Sequence, residues 1–129
     1  MARTEKTVAK ATRTNTPPSS AKITPITIDS TLVTNGLTIT DFFNVEDPRI
    51  VISSSAVSAK TITLVASTAA TAIKGGIGNY TLSVPAGERH VIDQIESARF
   101  MKSDGSLDVD FQSGFTGNMH VTGTAKGIA

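Results

Sequence analysis

Short runs in which every second residue is aliphatic recur along this chain, separated by turn residues. Ile62 and Leu64 make one such row within Thr61-Ile62-Thr63-Leu64-Val65, and Leu107, Val109 and Phe111 make another. A period of two sends successive side chains to opposite faces, so each run reads as a strand with one apolar face to bury. Ile23–Ile28 reads as an edge strand, because Pro25 cannot donate to a central ladder. Asn35-Gly36 is a two-residue hairpin signal between Leu32-Val33 and the row Leu37, Ile39. Asp47-Pro48 precedes Arg49–Ser53, a central strand with Ile50 and Ile52 inward. Tyr80, Leu82 and Val84 alternate before the turn Pro85-Ala86-Gly87-Glu88, and in His90–Ile95 both Val91 and Ile92 compete for the inward face. Ala98–Met101 and Leu107–Phe111 flank Ser103–Ser106, whose Asp104-Gly105 pair suits a hairpin, and Met119 and Val121 close the series.

Eight or nine strands at such spacing, with no sustained amphipathic period, predict an all-β chain. The expected architecture is an antiparallel β-sandwich or small barrel, with a jelly-roll-like form among its variants, since every sheet needs its apolar face covered. The 19 threonines and 13 serines agree with strands and turns rather than helices. A hydrophobic fraction of 39% is enough for a core, which argues against wholesale disorder. The absence of cysteine removes disulfides, thiolate nucleophiles and Cys-based zinc sites. No leader is visible at Met1–Lys6, and no stretch nears the roughly 18 apolar residues of a membrane span, so no membrane partner is expected.

The near-neutral charge of +1 is unevenly spread. Residues 1–22 hold Arg3, Lys6, Lys10, Arg13 and Lys22 against Glu5, a net of +4, which leaves −3 for residues 23–129. The segment has only Val8 as a sizeable aliphatic beyond Met1 and closes on the helix breaker Thr16-Pro17-Pro18-Ser19-Ser20. This predicts a flexible basic arm over residues 1–22 and a single β domain over 23–129. Such an arm orders when a partner surface offsets its entropy. Five dispersed charges without interleaved aromatics suit an acidic protein surface better than nucleic acid, with a plain solvated tail as the alternative to both.

No candidate for chemistry survives comparison with its plainer explanation. Asp108 and Asp110 share a face opposite Leu107, Val109 and Phe111, so both point to solvent rather than dividing acid and base roles. Asp104 does not complete a calcium loop with them. His90 and His120 fall short of the three or four ligands zinc requires. The serines lack a nucleophile elbow, and Gly75-Gly76-Ile77-Gly78 lacks the ending of a phosphate loop. Asn79-Tyr80-Thr81 matches a glycosylation acceptor only formally. No catalytic, cofactor-binding or metal-ligating residue is predicted, and the chain is expected not to be an enzyme. Phe42-Phe43 is different: adjacent rings diverge on a straight strand, so either a local twist turns both inward, the favoured arrangement, or one packs inside while the other anchors a partner. The candidate partner-binding residues are therefore Arg3, Lys6, Lys10, Arg13, Lys22, Phe42 and Phe43.

Several of these runs, taken in order, resemble small decoration proteins of tailed bacteriophage heads. The similarity is carried by Phe43-Asn44-Val45-Glu46-Asp47-Pro48-Arg49-Ile50-Val51-Ile52 and then Thr61–Val65. Leu82-Ser83-Val84-Pro85-Ala86-Gly87-Glu88 follows, with an aliphatic segment through Ile95, and finally Phe100–Met101 with Ser103–Phe111. It covers approximately residues 37–123; the Gly75–Gly78 insertion and the basic arm depart from it. The resemblance implies a non-enzymatic capsid component on the outer surface of the virion, made in the host cytoplasm. It implies the major capsid protein as partner, reinforcement of capsomer junctions and a homotrimer on the shell. The alternatives are a phage tail or head–tail connector protein, or a host-surface or carbohydrate-binding β module recognised by an exposed cluster such as Phe42 with Tyr80.

Overall fold

The computed structural model describes residues 2–13, 18, 20–69 and 72–128. Among them, strands fall into two open sheets. The first runs from edge to edge as β1 (Thr4–Thr7), β4 (Leu37–Thr40), β9 (Leu107–Phe111), β6 (Lys60–Leu64) and β7 (Tyr80–Val84). The second runs β2 (Ala9–Arg13), β10 (Gly117–Ile128), β5 (Val45–Ser54) and β8 (Arg89–Ile92). β3 (Ile26–Ile28) joins the second sheet through the start of β10, whereas β2 pairs further along it, from Thr122 onward. The rows expected to face inward do so: Leu37, Ile39, Ile52, Leu64, Val109 and Met119 belong to one buried cluster fed by both sheets. Each such side chain contributes about 1.5–3 kcal/mol through area removed from water.

Two helices interrupt the strands. α1 (Ser30–Asn35) occupies the stretch expected to lead into a hairpin. Asp29 caps it, its Oδ1 accepting from the Leu32 amide at 2.9 Å, and Gly36 ends it with φ 78° and an N–H donated to Leu32 O at 2.8 Å. The Asn-Gly pair is thus a helix end, not a β-turn. One and a half turns rich in β-branched residues would not hold alone; burial of Leu32 and the two caps hold it. α2 (Ser97–Phe100) replaces the strand expected at 98–101. Its single turn is fixed by burial of Phe100 and by Arg99, whose guanidinium lies 4.8 Å from that ring and donates to Gly78 O and Asn79 O at 2.8 and 3.0 Å.

These elements overturn the expected fold class. The chain is a mixed α/β fold with two open sheets, not an all-β antiparallel sandwich, small barrel or jelly roll. Neither sheet closes, because β1 does not pair with β7 nor β2 with β8. Nor are the sheets purely antiparallel: β1 runs parallel to β4, and β2 parallel to β10. Both parallel pairs involve the segment read as a mobile arm. Residues 4–13 form strands on the body, with Val8 buried where the chain passes from one sheet to the other. Of the Thr16–Ser20 breaker, Thr16, Pro17 and Ser19 lie outside the described residues; Pro18 and residues 20–25 are exposed and belong to no regular element.

Candidate partner-binding surface

The first sheet grips the N-terminal segment through its backbone and one arginine. Thr4 N donates to Gly36 O at 3.0 Å, setting the β1–β4 register that pairs Thr4 with Leu37 and Thr7 with Thr40. Arg3 Nη2 donates to Leu37 O (3.0 Å), Val109 O (2.8 Å) and Asp110 Oδ1 (2.7 Å). Its buried Nε makes no hydrogen bond; Asp108 Oδ1 lies 3.5 Å away, an ion-pair contact only. Asp108 also accepts from Thr38 Oγ1 at 2.7 Å and lies 3.4 Å from Lys102 Nζ. The guanidinium fits because position 36 has no side chain: a Cβ there would come within 2.7 Å of Arg3 Cζ. At the exit of the strand, Thr7 and Thr40 hydroxyls meet at 2.9 Å.

The predicted binding residues divide accordingly. Arg3 binds, but its acidic surface is the chain's own Asp108 and Asp110. Lys6, Lys10 and Lys22 are exposed, the first two on the outer strands β1 and β2. Arg13 ends β2, and its side chain lies outside what is described. Phe42 and Phe43 are both buried, 4.9 Å apart and edge to face. A 3-10 turn after the left-handed Asp41 bends the chain so that both rings face inward, which a straight strand forbids. They are core residues here rather than surface anchors.

Sequence reasoning missed the opposite edges. β7 and β8 are consecutive but lie in different sheets, so the turn at Pro85–Glu88 is a corner rather than a hairpin. Val91 is 59% exposed while its neighbour Ile92 faces the core, which settles the ambiguous register. Val91, Tyr80, Leu64, Ile92, Glu96 and Phe100 help line a cleft of about 340 Å³ beside the two edges. Ile73 and Ile77 are exposed on the approach to β7. That loop is tied to the cleft wall: Lys74 N donates to Ala98 O at 2.6 Å, and Lys74 Nζ meets Glu96 Oε2 at 2.7 Å. The Lys74 ammonium holds the Glu96 carboxyl below its usual range. Of the six large hydrophobics exposed among the described residues, Tyr80 and Val91 line this cleft and Ile73 and Ile77 belong to the loop before β7; Ile23 and Val57 are the others. The only signal for it in sequence was the competition between Val91 and Ile92.

The histidines do not converge. Register puts His90 in a row with Ile52, and His120 in a row with Val51, on opposite faces of the sheet. His90 Nε2 lies 3.0 Å from Glu88 Oε1. Among the described residues, no group of three or more His, Asp or Glu is placed to hold a metal ion. Gly75 is required for packing, since a Cβ there would strike Ser67 O, and the Asn79 side chain accepts from Ala66 N at 2.8 Å. Comparison of the chain with models of protein families, with curated proteins and with solved structures finds no match.

Proposed function

We propose that this chain is a non-enzymatic structural protein that attaches to a large protein assembly through the apolar corner at β7 and β8. The observation that carries this reading is the chemistry of that corner. Two edge strands line one cleft there with Val91 and Tyr80 exposed, beside a body whose inward rows are buried in one cluster. Exposed apolar groups gathered at one place, rather than scattered, mark interaction surfaces. An unpaired edge adds main-chain donors and acceptors for an extended partner.

The assembly we propose is a tailed-bacteriophage head, with the major capsid protein as partner and the outer surface of the virion as the location. This part rests on the ordered motifs over residues 37–123 that resemble head decoration proteins, two of which, Thr61–Val65 and Leu82–Glu88, fall on β6 and on β7 with its corner. Homotrimers at capsomer junctions would multiply modest individual contacts into tight attachment.

Mixing the purified, folded protein with matching expanded heads tests the proposal. Saturable co-sedimentation and regular density over capsomer junctions are expected. A folded protein that ignores such heads overturns the virion reading, and density confined to a tail or vertex replaces it with a connector role.

A further inference from the structure

We propose that residues 2–13 are an exchangeable strand pair, which a second copy of this chain accepts in the same sockets. What holds this segment is offered by the β4 and β10 edges and by β9 next to β4, and is identical in each copy. The β4 edge takes residues 4–7 in parallel register, and β10 takes Ala9–Ala11 opposite Thr122–Thr124. Gly36, the carbonyls of Leu37 and Val109, and Asp110 take the Arg3 guanidinium. Val8, 4% exposed, is the apolar plug between the two pairings. A segment arriving from a neighbour makes the same hydrogen bonds, the same ion pair and the same burial, so exchange is close to neutral in contact energy.

Reach permits the exchange. Twelve residues separate Arg13 from Ile26, among them Pro17, Pro18 and Pro25. Fully extended they span roughly 40 Å at about 3.3 Å per residue. A body of this length is on the order of 35 Å across. A donated segment can therefore reach the edge of an adjoining molecule. Whether it docks at home or away then follows concentration, because short tethers give effective concentrations in the millimolar range. Dilute chains keep their own segment, and crowded chains trade.

The pair Thr7 and Thr40 reports the choice directly. Their hydroxyls are 2.9 Å apart, and the chain has no cysteine to interfere. The variant T7C/T40C, refolded at about 10 µM and at about 1 mM and then oxidised, gives a disulfide within one chain or between two. Non-reducing electrophoresis separates these. At least a tenfold rise in cross-linked dimers and larger species over that range is expected. Intrachain disulfide alone at both concentrations overturns exchange. Should the variant fail to fold, the natural sequence serves: isotope-labelled and unlabelled chains are co-refolded at about 1 mM, where the effective concentration of the tether is matched. Contacts between Thr7 of one copy and Thr40 of the other, seen by isotope-filtered NOEs, support exchange. Their absence beside strong contacts within a copy refutes it. No heads enter either measurement, so failure here leaves the virion reading intact, and failure of that reading leaves exchange intact.

Discussion

The two sides of the molecule finish their sheets with opposite chemistry. On one side the outermost strands are β1 and β2, which expose Glu5, Lys6 and Lys10. On the other they are β7 and β8, which expose Tyr80 and Val91 alongside Thr81, Ser83 and Arg89. Charged side chains, lysine above all, discourage further strand addition, whereas an apolar edge invites it. The N-terminal segment therefore does more than add strands: it replaces the apolar β4, with Leu37 and Ile39 fully buried, by a charged outer strand. The corner at β7 and β8 has no such cover. Its strands are short, five and four residues, which limits indiscriminate pairing without removing the apolar surface. One side is finished by the chain's own N-terminal segment, and the other is left uncovered among the described residues.

The sharpest way to break this contrast is to remove the plug under the covered side. Val8→Asp puts an unpaired carboxylate in a buried position and is expected to cost about 3 kcal/mol in urea-induced unfolding. It should also raise amide exchange on β4 and β10 before it affects β6. Gly36→Ala comes next, at about 2 kcal/mol, because φ 78° is strained for alanine and the new Cβ meets the Arg3 guanidinium. Arg3→Ala is expected to cost about 1 kcal/mol, since its bonds to Leu37 and Val109 are partly exposed and its partner Asp108 keeps Thr38 and Lys102. The double variant should cost less than the sum of the two, because both act on one guanidinium. Equal and additive effects would sever Gly36 from Arg3.

The uncovered side should respond in the reverse way. Val91→Lys is expected to change unfolding free energy by less than about 0.5 kcal/mol while abolishing attachment to heads, read by co-sedimentation. The smallest effect concerns acid. Asp104 accepts from the Ser106 hydroxyl and amide, which holds its carboxyl below the usual 3.8. A depressed folded value stabilises above the unfolded pKa and is lost as pH falls through the folded one. Stability of the natural chain should thus decline on acidification below about pH 4 slightly more steeply than that of Asp104→Asn, measured by unfolding at each pH.

Strand positions were legible because burial on one face writes a period of two into the sequence. β6, β9 and the central β5 show it, and their inward rows are those anticipated. The helices were not legible for a local reason. Asp29 and Gly36 cap α1, but a glycine after asparagine signals a hairpin as readily, and the residues between favour strands. The N-terminal strands were hidden for another reason. Arg-Thr-Glu-Lys-Thr has no apolar alternation, because its pairing is made by backbone groups that every residue carries. Asp108 and Asp110 were rightly placed on the face away from Leu107 and Val109, yet nothing in their spacing points to an arginine more than a hundred residues earlier. Val8, the lone aliphatic in a polar segment, was the clue available. Phe42 and Phe43 take the wholly internal of their two anticipated arrangements, because the rule that adjacent side chains diverge applies to a strand, and Asp41 ends the strand first.

The parallel pairing of β2 with β10 also orders events during synthesis. Residues 9–13 are made more than a hundred residues before their partners at 122–128. At roughly 5–20 residues per second, the segment waits on the order of 6 to 25 seconds for that edge to exist. Throughout that interval residues 9–13 have no β10 edge of their own chain to join, so this pairing closes only after both segments have emerged.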